Sequence, residues 1–296
     1  MDTYTISQAH RAASEFATQR SPMMRVTSTF FTPEHRRAAH AIYTFFRVAD
    51  DLVDEEHISL EEFRAWQQQS QRPLDQQTDP YIIAWADIRA RYHLPLAYEQ
   101  AVLQGLEFDL LSHRYETLDD LKKYCYGVCV APFILSMSIV GFRDGVTLED
   151  AKPYMESLGM AIQLTDIIRD VGEDLSQGRI YLPAVELARF GLTFADIEAR
   201  HDDERFKRFM HYFTNIARGY YEAGWPILNM FSDSFRLAGG CGLVLNRLLL
   251  DETERRGFNV FQKSKIPYWR RFWLLAGKWP AIYWPDAANR YFQPSH

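Results

Sequence analysis

Apolar residues recur at steps of three and four along most of the chain, which is the repeat of an amphipathic α-helix. The repeat is clearest in HRRAAHAIYTFFRVADDLVDE (35–55) and in PYMESLGMAIQLTDIIRDVGED (153–174). TLDD at 117–120 and TLED at 147–150 have the spacing of a capping box, which predicts two helix starts. No pair of alternating strand patterns accompanies these repeats. The sequence therefore predicts an all-α fold.

Prolines, glycines and short polar clusters divide this pattern into segments. No low-complexity linker and no internal repeat separates one part of the chain from another. We therefore expect a single domain over residues 1–296, built from roughly nine to twelve helices. The predicted breaks fall at Pro33, 70–80, Pro95, 142–147, Gly178 and Gly239–Gly240.

The composition supplies enough apolar surface for a large core. Of 296 residues, 47% are hydrophobic, 15% aromatic and 24% charged, which excludes a disordered protein, and the net charge of -6 argues against nucleic acid as a partner. Three cysteines without a C-x-x-C pair indicate neither a disulfide framework nor a zinc site, and they fit a reducing compartment. No signal segment and no apolar run of roughly 18 residues is visible. We expect a cytoplasmic protein, either soluble or lying on a membrane surface.

Residues 43–56, YTFFRVADDLVDEE, set carboxylates into an apolar helix. Asp50 and Asp54 are four residues apart, so they share one helical face about one turn apart. A solvated charged face fits poorly with the apolar neighbours, whereas a cation would hold like charges together in a half-buried place. Oxygen ligands without nearby His or Cys suit magnesium, or manganese. Arg47 fits either a counter-ion for a carboxylate or a ligand for a phosphate oxygen.

A second acidic stripe lies more than a hundred residues later. Asp166, Asp170 and Asp174 are spaced i, i+4, i+8, so they form one slanting line on a helix. Two such stripes on separate helices, facing each other across a bundle, predict a site for metal ions. Since magnesium is usually held by one or two carboxylates together with substrate phosphates, the expected ligand is a diphosphate.

Four segments of the chain resemble one known family. They are RVADDLVDE (47–55), RYETLDDLKKYCYGV (114–128), LGMAIQLTDIIRDVGEDLSQGRIYLP (158–183) and LLLDETERRGFNVF (248–261). They are similar to the first aspartate-rich motif, the central Tyr-containing segment, the second aspartate-rich motif and the late helix of the squalene and phytoene synthase family. The resemblance covers about residues 30–265. It implies an isoprenoid-synthase helical bundle with a central active-site cavity.

The resemblance also implies roles for individual residues. The metal ligands would be Asp50, Asp54, Asp166, Asp170 and Asp174, where Asp166 replaces the Asn that is usual in the family. Arg47 would contact a diphosphate, Gln163 would line the cleft near the reacting carbons, and Tyr124 and Arg179 match positions close to the cleft. The sequence agrees equally well with two interpretations of Tyr124, as a catalytic residue and as an aromatic residue of the core.

The implied reaction is a magnesium-dependent, head-to-head condensation of two prenyl diphosphates, farnesyl or geranylgeranyl. It would pass through a cyclopropyl diphosphate to a hydrocarbon of the phytoene, dehydrosqualene or squalene type. The absence of a G-x-G-x-x-G loop does not exclude NADPH, because the family binds it without one. The use of NADPH is therefore left open.

Two departures from the family keep a second function open. RSPMMRVTSTFF (20–31) lacks the usual Ser-Phe pair, and Cys129 to Phe133 replace a run of small residues. We expect Pro132 to break the helix there. Phe133 would shorten a prenyl tunnel, or else pack in the core. A shortened tunnel favours a terpene synthase, or another prenyl transferase, that uses one prenyl diphosphate. A non-enzymatic scaffold relative ranks below both, because the carboxylates are retained.

The C-terminal tail, 263–296, is basic and aromatic. YWRRFWLLAGKWPAIYW (268–284) interleaves aromatic rings with Arg270, Arg271 and Lys278. Such a segment is typical of peripheral membrane association, here through 263–284, and equally of a final helix packed on the domain.

Overall fold

Helices make up most of the chain in the computed structural model, which describes residues 2–54, 58–111 and 114–261. This part of the chain contains thirteen α-helices and no strand, so the all-α prediction is confirmed. The helices are α1 (Thr3–Arg20), α2 (Pro22–Thr27), α3 (Pro33–Asp54), α4 (Leu60–Ser70), α5 (Pro80–Arg91), α6 (Leu96–Leu111), α7 (Leu118–Cys125), α8 (Ala131–Val140), α9 (Leu148–Ser176), α10 (Ala184–Ala188), α11 (Phe194–Glu198), α12 (Glu204–Gly224) and α13 (Asp233–Arg255).

Two predictions about the segmentation were wrong. The count of nine to twelve falls below the thirteen helices of the described residues, because α10 and α11 have only five residues each and are too short for a repeat to show. The predicted break at Gly239–Gly240 does not exist, since α13 runs through it. Gly239 is needed there for packing: a Cβ would come within 2.5 Å of the Phe235 ring, which folds back over this position.

The predicted capping residues begin the helices on which the site depends. Thr147 accepts a hydrogen bond from the Asp150 N–H, and the Asp150 carboxylate accepts one from the Thr147 N–H, which completes a capping box at the start of α9. Thr117 caps α7 by accepting from the Asp120 N–H. These bonds satisfy N–H groups that have no partner inside the helix. The sequence signals at both positions are therefore confirmed.

Helix α7 continues into α8 through one turn of π-helix at Tyr126–Val130. Pro132 was expected to break the helix here, and that prediction was wrong. The Ala131 N–H bonds to the Tyr126 carbonyl, five residues back, and this wider turn carries the helix past the proline, whose ring would otherwise press on the carbonyl four residues before it.

The described helices bury two adjoining apolar clusters. One is centred on α9 and includes Leu158, Leu164 and Phe213, and the other is centred on α3 and α5 and includes Phe45 and Trp85. Side chains from α6 and the π turn pack against both clusters. Helices α3 and α9, which carry the acidic stripes, therefore belong to one connected core.

One helical stretch among the described residues, Leu118–Val140, is long and apolar enough to cross a membrane. Half of its most apolar window is buried within the protein, and it supplies Leu121, Ile134 and Met137 to the core. That burial is typical of a core helix. The C-terminal tail, for which membrane association was predicted, lies outside the described residues from 262 onward.

Gly127 in the π turn provides a test of this packing. A Cβ on Gly127 would lie 2.5 Å from the Ala101 carbonyl oxygen and 2.9 Å from the Gly105 Cα of α6. Because both are backbone atoms, Gly127→Ala should destabilise the fold by about 1–3 kcal/mol. Gly219→Ala, in α12 where nothing lies within 4 Å of the added Cβ, should instead stabilise by about 0.5–1 kcal/mol. Urea unfolding of both variants measures this, and shifts of the same sign would contradict the packing described here.

Candidate active site

The first acidic cluster occupies the last two turns of α3. The Arg47 guanidinium binds the Asp50 carboxylate at 3.0 Å and the Asp51 carboxylate at 2.6 Å. Asp51 is also bound by Arg20, at the end of α1, at 2.8 Å. Asp51 thus has two arginine partners. The predicted ligand Asp50 shares Arg47 with it and stays about one-third exposed.

The second acidic cluster lies on the C-terminal half of α9. Arg169 binds Asp166 at 2.7 Å and Asp170 at 2.9 Å. Asp174, one turn further on, has no side-chain hydrogen bond or ion pair in the part of the chain that the structure describes. Its backbone carbonyl accepts from the Gln177 and Arg179 N–H groups, which end the helix. The stripe therefore ends in a carboxylate without a direct counter-ion.

Arg179 joins the two clusters. It follows α9 and forms an ion pair with Asp54, the last residue of α3. Its charge also opposes the rise in the pKa of Asp50 and of Asp174, one on each helix. The structure thus brings together the two stripes that the sequence predicted to face each other.

Three carboxyl groups of the two stripes lie where the charged form is unfavourable, so that their pKa values are raised. Burial, followed by the charge of Asp54, raises the pKa of Asp50 to about 6. Burial, followed by the charge of Asp170, raises the pKa of Asp174 to about 8. Burial also raises the pKa of Asp166, although Arg169 opposes it. Since burial disfavours the charged form of each carboxyl, a cation bound between the stripes would favour that form and lower these pKa values.

The donor set fits a hard cation that also binds phosphate oxygens. Within residues 2–54, 58–111 and 114–261, no group of three or more His, Cys, Asp or Glu side chains converges closely enough to hold a metal unaided. Magnesium is usually bound by one or two carboxylates plus substrate phosphates, so separate carboxylates with oxygen donors suit it. In that role, Asp50 and Asp54 would serve on one side, and Asp170 and Asp174 on the other.

A buried carboxylate that the sequence did not reveal lies beside the clusters. Asp109 of α6 is 6% exposed and accepts a hydrogen bond from the Tyr181 hydroxyl at 3.0 Å. The Tyr124 hydroxyl donates to the Tyr181 hydroxyl at 3.2 Å, and the two rings stack with centroids 5.0 Å apart. Burial raises the pKa of Asp109 to about 7, although Arg179 opposes the shift. Tyr124 is therefore a core aromatic whose hydroxyl also belongs to a polar chain that ends at a titratable group.

A cavity of about 450 Å³ opens beside the first cluster. Arg47 and Asp50 stand in its wall, and most of the remaining lining is apolar and comes from α3, α6, α8, the π turn and α13. Its volume is within the range of about 300–1,000 Å³ that is typical of small-molecule sites. Apart from Arg47 and Asp50, the lining residues are Met24, Phe31, Ala39, Ile42, Tyr43, Phe46, Val102, Leu106, Val128, Pro132, Ser136, Ile139, Val140 and Phe235.

Three further predicted residues lie around this cavity without lining it. Gln163 is half-buried on α9, and the Cys129 thiol lies close to its backbone and to Asp166. Burial, followed by the charge of Asp166, raises the pKa of Cys129 to about 12, so the thiol stays protonated. Phe133 is half-buried and packs against the core cluster centred on α9. Its neighbour Pro132 is the one that reaches the cavity.

Sequence reasoning missed Asp109, Arg169 and the cavity wall. Arg169 stands three residues after Asp166 and directly before Asp170, and this spacing could have indicated a shared counter-ion. Asp109 stands in LEFDLL, where a single acid on an amphipathic helix gives no sign that it is buried. The cavity wall depends on how six helical elements meet, which no local pattern records.

Known proteins resemble the chain in both sequence and structure. A family model described as squalene/phytoene synthase matches residues 17–273. The 15-cis-phytoene synthase of Synechococcus elongatus is 31% identical over 284 residues, which is 92% of each chain. The phytoene synthase of Arthrospira platensis is 32% identical over 254 residues, which is 81% of this chain and 82% of the relative.

Two solved structures share the fold. A dehydrosqualene synthase in complex with a ligand superposes with a TM-score of 0.80 and 22% identity, covering 94% of this chain and 98% of the other. A squalene synthase from Alicyclobacillus acidocaldarius gives a TM-score of 0.77 and 21% identity, covering 87% and 97%. The helical bundle is therefore the isoprenoid-synthase fold, as predicted. With a family model that matches most of its length, the chain belongs to the squalene/phytoene synthase family.

Proposed function

We propose that the chain is a prenyl transferase that condenses two prenyl diphosphates head to head to a hydrocarbon of the phytoene, dehydrosqualene or squalene type. The observation that carries the proposal is the cavity, whose largely apolar wall contains Arg47 and Asp50 of the first acidic cluster. A prenyl chain suits the apolar part, and a diphosphate suits the charged edge. The sequence relatives, which are phytoene synthases, support the same reaction.

The residues would divide the work as follows. Asp50, Asp54, Asp170 and Asp174 would bind Mg²⁺, which when bound supplies the Lewis acidity that helps a diphosphate to leave. Arg47 and Arg179, now paired with carboxylates, would bind the diphosphate oxygens, because a guanidinium can exchange a carboxylate for a phosphate partner. The aromatic and aliphatic cavity wall would exclude water from the reacting carbons.

Asp166 shares one arginine with Asp170. Arg169 binds the Asp166 carboxylate at 2.7 Å, and the Asp166 side chain is about one-third exposed. We therefore assign Asp166, together with Arg169, the task of orienting Asp170, which the same guanidinium binds. The assignment of Asp166 as a metal ligand remains a prediction.

The one-substrate alternative has less support. This alternative rested on a tunnel that Phe133 would shorten. The Phe133 ring, however, packs on the core cluster centred on α9 rather than in the wall of the described cavity. Arg20, which lies in the segment that lacks the Ser-Phe pair, reaches the first cluster through Asp51 and would add positive charge there. A count of diphosphates separates the two functions.

The function is tested by supplying farnesyl or geranylgeranyl diphosphate with Mg²⁺, with and without NADPH, and by identifying the product with mass spectrometry. We expect a hydrocarbon with twice the carbon number of the substrate and two diphosphates released for each product. A cyclic or shorter product with one diphosphate released would establish the one-substrate alternative. The NADPH arm separates a squalene-type product, which takes up a hydride, from the other two.

Loss of either acidic cluster should abolish this activity. Asp50→Asn and Asp170→Asn each remove one charge that Mg²⁺ would bind, so turnover should fall by about a hundredfold or more while the fold is retained. EDTA should give the same loss in the wild type, reversible by added Mg²⁺. Asp144→Asn, an exposed position in the loop before α9, is the matched control. Near wild-type turnover in either cluster variant would contradict the metal assignment.

The Tyr124 hydroxyl can be tested against its neighbour. Tyr181→Phe removes the hydroxyl that donates to buried Asp109, so it should destabilise by about 1–3 kcal/mol. Tyr124→Phe removes only the next hydroxyl in the chain and should destabilise by about 0.5–1.5 kcal/mol. If Tyr124 acts on the substrate, Tyr124→Phe should nevertheless lose more of kcat than Tyr181→Phe does. Activity losses that merely follow the melting temperatures would make Tyr124 a structural residue.

The raised pKa of Asp174 predicts how metal-free stability depends on pH. A carboxyl whose pKa is raised on folding stabilises the protein fully below its unfolded pKa, and this contribution is lost as the pH rises through the folded pKa. For Asp174 the loss should extend from its ordinary pKa of 3.8 to about 8. Asp174→Asn has no such titration, so its Tm should rise relative to that of the wild type as the pH increases from about 5 to about 9 in EDTA.

Thermal melts across this pH range, with Asp144→Asn as the control, measure the effect. The control replaces an exposed carboxylate and should track the wild type at every pH. A constant Tm difference between Asp174→Asn and the wild type would show that Asp174 titrates normally. Such a result would contradict the electrostatic description of the second cluster.

A further inference from the structure

A second pocket, of about 390 Å³, opens on the outer side of the α1–α3 pair. Its residues are Ser7, His10, Arg11, Ser14, Pro33, Arg36, Arg37 and His40. Three arginines, two histidines and two serines line it, and none of the eight residues is acidic. The three arginines concentrate positive charge in a chain whose net charge is -6, while the His10 imidazole pairs with the Asp87 carboxylate at 2.8 Å.

The arginines of this pocket lack carboxylate partners. Arg11 and Arg37 are exposed, and neither forms an ion pair with any residue from 2–54, 58–111 or 114–261. Arg36 donates from Nε to the Ser28 carbonyl at 2.8 Å and from its terminal nitrogen to the Phe31 carbonyl at 3.3 Å. Carbonyl oxygens fix the direction of this guanidinium but leave its positive charge without compensation.

The neighbouring groups add further donors. The His40 Nε2 lies 3.0 Å from the Ser28 hydroxyl, while its Nδ1 is buried without a hydrogen-bond partner. Burial, followed by the charge of Arg36, lowers the pKa of His40, so the ring is neutral, and a Ser28 hydroxyl that donates to Nε2 leaves the ring proton on Nδ1. The pocket also lies at the first turn of α3, which begins at Pro33, and the helix dipole adds positive potential there.

This pocket is separate from the candidate active site. The α3 residues that line the active-site cavity run from Ala39 to Asp50 and include Tyr43 and Arg47. The second pocket takes Pro33, Arg36, Arg37 and His40 from the first two turns of α3 and its remaining side chains from α1. Nothing in the proposed condensation requires these groups.

We propose that the pocket between α1 and α3 is a binding site for a phosphate group, held by the forked guanidinium groups of Arg11 and Arg37 and by the positive charge of Arg36. Guanidinium groups bind tetrahedral oxyanions through paired, charge-assisted hydrogen bonds, and Ser7 and Ser14 supply hydroxyl donors at the rim. The phosphate belongs either to free inorganic phosphate or to the headgroup of an anionic phospholipid. Both sources present a tetrahedral oxyanion to the pocket: inorganic phosphate is unsubstituted, and the phospholipid phosphate is a diester with two non-bridging oxygens.

The test removes charge without disturbing the fold. Arg11→Gln/Arg37→Gln neutralises the two exposed arginines of the pocket, whereas Arg36 is kept because it binds backbone carbonyls. Arg72→Gln/Arg208→Gln is the matched control, since it removes two exposed arginines from α4's end and α12 and changes the net charge equally. Both are made in the full chain, and their Tm values should equal that of the wild type.

Two probes are used with each variant. The first is inorganic phosphate, titrated calorimetrically. The second is sedimentation with phosphatidylcholine vesicles that do or do not contain phosphatidylglycerol. Because the active site also takes phosphate groups, the difference between the two double variants isolates the pocket. We expect the phosphate affinity of Arg11→Gln/Arg37→Gln to fall by about tenfold or more relative to the control.

A parallel loss of binding to phosphatidylglycerol vesicles would assign the site to a lipid headgroup, and loss of phosphate binding alone would assign it to a free anion. Arg37→Lys, which keeps the charge but loses the fork, should retain part of the affinity in either case. If Arg11→Gln/Arg37→Gln and the control bind both probes equally, the proposal is wrong.

Discussion

The candidate active site depends on the cost of placing several carboxylates close together beside apolar surface. Like charges repel, and burial strengthens the repulsion because little water remains to screen it. The fold offsets part of this cost with arginines, since Arg47 and Arg169 each bind two carboxylates and Arg179 binds across from α9 to α3. Asp174 has no ion pair among the described residues, and burial raises its pKa to about 8, although the charge of Arg179 opposes the rise.

This balance gives the arginines two functions. Without substrate, Arg47 and Arg169 are counter-ions for carboxylates of their own helices, and Arg179 joins the end of α9 to α3 through Asp54. In the proposed complex, a metal would bind the carboxylates, and the guanidinium groups would be available to the phosphate oxygens. A raised pKa at Asp174 would then link metal binding to pH, because a metal ligand must be deprotonated.

The sequence predicted the features that depend on spacing within one helix. The capping residues Thr117 and Thr147, the two acidic stripes and the helical class all follow from local repeats, and the long motif at 158–183 identified the family. Predictions of helix breaks at single residues were wrong. Pro132 does not break the helix, because a π turn precedes it, and α13 continues through Gly239, where the Phe235 ring occupies the space of a Cβ.

The predicted site was found only in part. Asp109 is distinctive through its burial and its tyrosine partners, which come from α7 and from the segment after α9. For Phe133 the sequence left open whether the ring shortens a tunnel or packs in the core. The ring packs on the cluster centred on α9, whereas the adjacent Pro132 lines the cavity. Which of two adjacent side chains reaches the cavity depends on how the helix packs against its neighbours.

The central claim is that both acidic clusters bind one common metal–diphosphate group. It is tested most directly by counting bound Mn²⁺ with electron paramagnetic resonance in the presence of an unreactive prenyl thiodiphosphate. In the wild type, binding should require the thiodiphosphate. Asp54→Asn, in the first cluster, and Asp174→Asn, in the second, should each weaken the binding of all the metal. If a variant of one cluster leaves the metal of the other cluster fully bound, the clusters act independently and the account is contradicted.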